Sequence, residues 1–216
     1  MKVRCHLTSK LKTMVHEALK ELQDQTGGCI AFSEVDDRPS SSFIAYREVP
    51  SLGPGVCADS PLGRQSDVNV INVATTCQVF GTLIHETMHS LGFAHTQQRP
   101  DVEQYLTINW RNIDPSAAPN FKPWKYALKN QGPFDYGSIL MYPRTAFAIN
   151  PYKDTLTPKR DPDHNGDLMG QRERLSDEDV NILKKIYCSQ SGSAGGSEGE
   201  NFKSLYNQVF EKSTET

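Results

Sequence analysis

His85-Glu86-Thr87-Met88-His89-Ser90-Leu91-Gly92-Phe93-Ala94-His95 carries more information than any other part of this 216-residue chain. Positions i and i+4 of a helix lie on one face, one turn apart, so His85 and His89 can aim two imidazoles at one ion. Glu86, beside the first of them, is close enough to hold a water at that ion without ligating it. A helix continued to residue 95 would point His95 away from the other two rings. Gly92 permits a change of direction, because glycine accepts the left-handed conformation that ends helices. His95 can then approach the same ion. Three imidazoles with a fourth position open describe a catalytic zinc rather than a closed structural one. The plainer reading, a helix with surface histidines, needs a coincidence. Shuffling this composition yields the five-position pattern in roughly 1 of 100,000 chains.

Outward from the motif, its helix is expected from about Thr76 to Leu91, with Gly92 as its stop. Upstream, Leu11, Met14, Val15, Ala18, Leu19 and Leu22 form one apolar stripe at helical spacing, which predicts a core-packing helix over 9–25. Ser9 is its expected N-cap and Gly27-Gly28 its stop. His16 lies off the stripe and reads as a surface residue, as do His6 and His164. Cys29-Ile30-Ala31-Phe32 and Phe43-Ile44-Ala45-Tyr46 are β-prone runs bounded by polar turns. The run 67–73 alternates partly and is expected as an edge or half-buried strand. Past the motif the chain is rich in Pro and Asn with weak periodicity up to about Gly170, which predicts loops and short turns. A third helix is expected from Ser176 to about Tyr187. Asp179 follows Ser176 by three residues as in a capping box, and Lys184 and Lys185 sit in the last turns. From Ser189 a Gly/Ser/Glu linker, SQSGSAGGSEGE, leads into a tail ending at Thr216.

These elements sum to one domain over 1–188 and an appendage over 189–216. With 23 basic and 26 acidic residues, the net charge of −3 argues against a nucleic-acid binder that works by bulk charge. No apolar run is long enough for a transmembrane helix. Hydrophobic residues make up 37% of the chain, enough for a real core. The first residues, MKVRCHLTSK, lack the apolar stretch of a signal peptide. Cys5, Cys29, Cys57, Cys77 and Cys188 form no CxxC pair, which argues against a zinc ribbon or a thioredoxin-type motif. Scattered cysteines fit disulfides in an oxidising compartment, and their odd number leaves at least one without a partner in the chain.

Further signatures flank the motif. Before it stands Cys77-Gln78-Val79-Phe80-Gly81-Thr82. After it come Arg99-Pro100-Asp101, Tyr105, Ile108-Asn109-Trp110 and Asn112-Ile113, and later Gly170-Gln171-Arg172, Leu175-Ser176, Asp179 and Cys188. With the H-E-x-x-H-x-x-G-x-x-H pattern, these resemble the astacin family of metzincin zinc proteases over about residues 8–188. The resemblance implies an α+β, metzincin-like fold. A twisted mixed sheet and two long helices would form an N-terminal subdomain. A mostly irregular C-terminal subdomain would carry one closing helix, with zinc in the cleft between. It also implies a secreted zinc endopeptidase that hydrolyses peptide bonds of protein substrates through a metal-activated water. One catalytic Zn2+ would be held by His85, His89 and His95, with Glu86 as general acid–base. Tyr142 falls on the family's mobile tyrosine, which ligates zinc at rest and swings to steady the reaction intermediate; the plainer reading is a packed core tyrosine. The implied disulfides are Cys29–Cys188 and Cys57–Cys77, with Cys5 left over. The strand near Val68–Val73 would bind substrate by strand addition at an exposed edge, or be ordinary sheet structure. Protein or peptide substrates are the expected partners, with a propeptide or inhibitor as a further partner, and neither nucleic acid nor a membrane span is expected.

Two features depart from the family. It places Asp-Tyr-x-Ser-[Ile/Val]-Met-His-Tyr after the motif, where this chain has Asp135-Tyr136-Gly137-Ser138-Ile139-Leu140-Met141-Tyr142. Without gaps, Leu140 takes the place of the Met that forms a turn beneath the zinc, and Met141 that of the His. Leu and Met have similar volumes, so the turn should pack at a cost below about 1.5 kcal/mol. Thr96 stands where the family usually has the Glu that anchors the N-terminus freed by propeptide cleavage. No counterpart of the family's first strand is recognisable before Ser9. These departures motivate a second hypothesis, a catalytically weak or silent zinc-containing binding module of the same fold. A purely structural zinc is a weaker reading, because Tyr142 is the single candidate for a fourth protein ligand.

Overall fold

The computed structural model describes residues 1–36, 39, 41–53, 55–65, 67–124 and 132–188; the expected linker and tail over 189–216 lie outside the described residues. In chain order the elements are β1 (Lys2–His6), α1 (Ser9–Gln25), β2 (Ser33–Glu34), β3 (Phe43–Val49), β4 (Ala58–Asp59), β5 (Val68–Ala74) and α2 (Phe80–Ser90), then β6 (Leu106–Ile108), β7 (Leu156–Pro158), α3 (Pro162–Leu168) and α4 (Asp177–Tyr187). They fall into two compact units, residues 1–93 with those from 179 onward, and residues 94–178. The class is α+β.

In the first unit a mixed sheet runs in the order β2-β1-β3-β5-β4. β1, β2, β3 and β5 are parallel, and β4 pairs antiparallel with β5. The register sets Val3 opposite both Glu34 and Ile44, Cys5 opposite Tyr46, and Tyr46 opposite Ile71. Side chains alternate along a strand, so Val3, Ile44, Tyr46 and Ile71 share one face, and all four are buried. α2 covers that face, where the Tyr46 hydroxyl and Thr87 Oγ1 lie 2.6 Å apart in a buried hydrogen bond. Of its predicted stripe, α1 leaves Met14 half-buried and buries Leu11, Val15, Ala18, Leu19 and Leu22. Each of the larger ones contributes about 1.5–3 kcal/mol.

Several expectations are corrected here. A strand does precede α1: β1 lies inside the sheet, between β2 and β3. The N-cap of α1 is Thr8, not Ser9, and its side chain does not cap; its N–H instead donates to Glu48 Oε2 at 3.1 Å. The residues Cys29–Phe32 form no strand. Pairing starts at β2, where the Ser33 N–H donates to the Met1 carbonyl at 2.9 Å. α2 starts at Phe80 rather than Thr76, because Cys77 is bridged to Cys57 and its N–H turns back to the Ala74 carbonyl. β5 is the half-buried strand expected, with burial alternating along it, but it is not the edge of the sheet at its end, since Asn72 and Val73 pair with Asp59 and Ala58 of β4. The closing helix is last in sequence, yet from Asp179 it belongs to the first unit. The Cys29–Cys188 disulfide ties its end to the chain just after α1, and the Tyr187 hydroxyl donates to the Leu91 carbonyl at 2.6 Å. Both disulfides pair as the family resemblance implies. Cys5 stays a thiol, and burial pushes its pKa up to about 12, with the Glu34 carboxylate adding to the effect.

The second unit is built mostly of short 3-10 turns around a core of Val102, Leu106, Ile113, Ala117, Phe121, Met141, Leu156 and Met169. β6 and β7 form a small antiparallel ladder in it. α3 falls in the region expected to be loops and turns. Its seven residues carry no apolar stripe, and Pro162 in the first turn is its sequence sign. The Arg99-Pro100-Asp101 signature is an anchor. Arg99 is buried, forks onto both Asp101 oxygens at 2.9 and 2.8 Å, and donates to the Gly132 and Pro133 carbonyls. That guanidinium holds the Asp101 carboxyl below the usual carboxylate range.

Candidate active site

α2 carries His85, Glu86 and His89, which are 4%, 6% and 7% exposed. The helical period does what the spacing requires: the Nε2 atoms of His85 and His89 lie 2.9 Å apart, with the rings edge to face. Two nitrogens each 2.0–2.1 Å from one tetrahedral ion stand about 3.3 Å apart, so the pair is within a few tenths of an ångström of a shared ion's geometry. His89 Nδ1 lies 2.7 Å from the Phe93 carbonyl. A carbonyl can only accept, so the proton sits on Nδ1 and the Nε2 lone pair is the one available to a metal.

Gly92 closes the helix with φ 98°. Its N–H donates to the His89 carbonyl at 2.8 Å, and the Phe93 N–H to the Met88 carbonyl at 3.0 Å. This is a Schellman closure, with glycine at the left-handed position a side chain would strain. It also delivers the Phe93 carbonyl to His89.

His95 belongs to the second unit. Its ring lies 4.5 Å from that of Tyr142, and its Nδ1 is 3.3 Å from Gln98 Oε1. An accepting amide oxygen there again puts the proton on Nδ1 and the lone pair on Nε2. His85, His89 and His95 make up a group of three imidazoles that could hold one metal ion. Neutral imidazoles of this number suit zinc. Tyr142 is half-buried, with the rings of Phe121 and Phe147 at 5.8 and 5.7 Å. Its position therefore rests on the core residue Phe121.

Sequence reasoning named the imidazoles, Glu86 and Tyr142 but not their supports. Gln98, three residues past His95, could have been found from that spacing. The Phe93 carbonyl is backbone and leaves no side-chain signal. Phe121 reaches Tyr142 from 21 residues away in sequence, too far for any local pattern.

The turn in the second unit tolerates its departure. Leu140 is buried, its N–H donates to Ser138 Oγ at 3.1 Å, and its carbonyl accepts from the Thr96 N–H at 3.2 Å. Met141, in the place of the family's His, is a fully buried core residue. Leu140→Met should change the unfolding free energy by less than about 1.5 kcal/mol. Leu140→Ala should cost about 2–5 kcal/mol. Denaturant unfolding of both variants checks the pair.

Residues 2–188 match the model of the astacin peptidase family. The chain belongs to that family. It is 36% identical over 184 residues to zinc metalloproteinase nas-11 of Caenorhabditis elegans, an alignment covering 82% of this chain and 30% of that protein. It is 31% identical over 191 residues to mouse Tolloid-like protein 1, covering 87% of this chain and 18% of that protein. The chain thus spans less than a third of the length of these relatives. Among solved structures it is similar to High choriolytic enzyme 1, a hatching enzyme zinc-protease from Oryzias latipes. That likeness has a TM-score of 0.73 and 28% identity, and covers 87% of this chain and 89% of the other. The astacin match begins at residue 2, so it includes β1, which the sequence signatures alone did not reach. Astacin-family metalloproteinases use one catalytic zinc, and the three imidazoles fit it.

Proposed function

We propose that this astacin-family chain is a secreted zinc-dependent endopeptidase that cuts protein substrates, with His85, His89 and His95 as the metal ligands. The observation that carries this reading is the facing Nε2 pair of His85 and His89, with Glu86 buried beside it on a helix stopped at Gly92. When bound, zinc supplies Lewis acidity toward the scissile carbonyl and lets water give up a proton near neutral pH. Glu86 takes that proton and later hands it to the leaving amine nitrogen. Phe93 and Gln98, at the Nδ1 atoms of His89 and His95, fix the orientation of those rings. Tyr142 is assigned to donate its hydroxyl proton in a hydrogen bond to the developing oxyanion. Its ring is steadied against His95, Phe121 and Phe147. An extended peptide would add to the sheet at the β4 edge, where, among the described residues, Ala58 and Asp59 pair with β5 on one side alone. Two disulfides suit an oxidising, extracellular setting.

No observation favours the silent binding module over this reading. Two of its motives are met: a first strand exists, and Leu140 sits in a hydrogen-bonded turn. The test is digestion of a peptide library or a broad protein substrate, with and without a chelator. Cleavage should appear, vanish on chelation, and return when one equivalent of zinc is restored. Zinc bound at one equivalent with no cleavage of any substrate would replace this function with the binding module.

A further inference from the structure

Cys5, His16 and Glu34 form a second cluster of ligating side chains, wholly within the first unit and unused by the chemistry above. Sheet register and helix period together assemble it. Glu34 of β2 lies opposite Val3 of β1, and Cys5 is two residues beyond Val3. Both side chains therefore stand on the same face of the sheet. Lys12 and His16 are four residues apart on α1 and share one side of that helix. Each reaches Glu34: Lys12 Nζ is 2.8 Å from Oε1, and His16 Nε2 is 3.0 Å from Oε2.

We propose that Cys5, His16 and Glu34 bind a second divalent cation of the zinc class. One sulfur, one imidazole nitrogen and one carboxylate oxygen lie within 4.8 Å of one another. Donors 2.0–2.3 Å from a tetrahedral ion stand about 3.3–3.7 Å apart, so small side-chain rotations close the set. The sulfur selects a thiophilic metal over magnesium or calcium. The ion takes the place of the thiol proton, which passes to solvent. His16 and Glu34 are open to water, so the ion can enter and exchange, and solvent completes its coordination. Lys12 holds the other Glu34 oxygen, and its ammonium opposes the incoming charge. That opposition makes the site weaker than a buried structural zinc and fixes the sign of one variant.

The experiment is a cobalt(II) titration of the full chain already carrying one equivalent of zinc. It is read by metal content after desalting and by thiolate-to-cobalt charge transfer in the near ultraviolet. The set His85, His89 and His95 contains no sulfur, so the band reports Cys5 alone. A second equivalent should bind with the band. Cys5→Ser should abolish both and leave proteolysis unchanged. His16→Gln, at an exposed position, should weaken cobalt binding by more than about tenfold. Lys12→Gln should tighten it. Absence of the band at saturating cobalt, or a band with the same affinity in His16→Gln, overturns the site. Neither result touches the proteolytic reading, whose own test needs one zinc.

Discussion

Glu86→Ala should lower kcat by about 10²–10⁴-fold while zinc remains bound at one equivalent. The separation of these two readouts follows from where the carboxylate sits. Glu86 neighbours His85 in sequence, but a helix turns by about 100° per residue, so its side chain does not share the stripe that carries His85 and His89. The metal keeps its imidazoles when Glu86 is gone. The helix also survives, because alanine is the better helix former and Ser60 Oγ bonds the Glu86 backbone carbonyl rather than its side chain. What disappears is the group proposed to move a proton between water and amine. KM should therefore change little, since the lost interaction exists in the transition state and not in the bound substrate. Glu86→Gln, which keeps shape and loses basicity, should behave alike. Steady-state kinetics and zinc analysis on both variants make the measurement, and full activity in Glu86→Ala would sink the mechanism.

The second large effect is on stability. Removing the Cys29–Cys188 bridge by a double alanine substitution should cost up to about 5 kcal/mol, against about 3 kcal/mol for Cys57–Cys77. The difference comes from the unfolded chain. The first bridge links residues 159 apart in sequence and the second residues 20 apart, so the first denies the unfolded chain far more conformations. A loss of this size is a large fraction of the roughly 5–15 kcal/mol that typically separates folded from unfolded domains. It would first release the end of α4, whose Tyr187 hydroxyl is bonded to the Leu91 carbonyl directly after α2. Denaturant unfolding of the two double variants, without reductant, decides the matter. The account fails if the short bridge proves the costlier one to remove.

What could be read in the sequence depended on how locally each element is specified. α1 was legible apart from its N-cap, because its apolar stripe is a property of 17 consecutive positions. The motif was legible because helix period and one glycine fix its geometry within a single short run, His85 to His95. β1 was not. Its five residues mix Lys, Arg and His with Val and Cys, and they become a strand only by pairing with Ile44–Arg47 of β3. The start of α2 was misplaced because Thr76–Val79 suits a helix, while the bridge at Cys77 holds the chain in a turn. α3 was missed because Pro-Asp-His-Asn-Gly-Asp-Leu has no periodicity to detect. The site divides in the same way. The side chains proposed as metal ligands and as acid–base carry sequence signals, whereas the Phe93 carbonyl and the Phe121 ring arrive through folding.

Gly170 has a consequence for motion around Tyr142. It sits at φ +81°, and a Cβ placed on it would come within 2.6 Å of Pro143 Cα. One strand of backbone thus rests directly on another, immediately after the tyrosine. Just before the tyrosine, the Met141 carbonyl accepts from Arg172 and its N–H donates to the Ser138 carbonyl. The chain on both sides of Tyr142 is pinned, so its phenol can change place only by turning about its own side-chain bonds. Rotamer changes run in picoseconds to nanoseconds where a side chain has room, against microseconds or longer for collective loop movements. A swing of this kind is a rotamer change of one half-buried side chain against the rings of His95, Phe121 and Phe147, not a loop movement. A loop movement elsewhere in the second unit would then leave the backbone at Tyr142 in place.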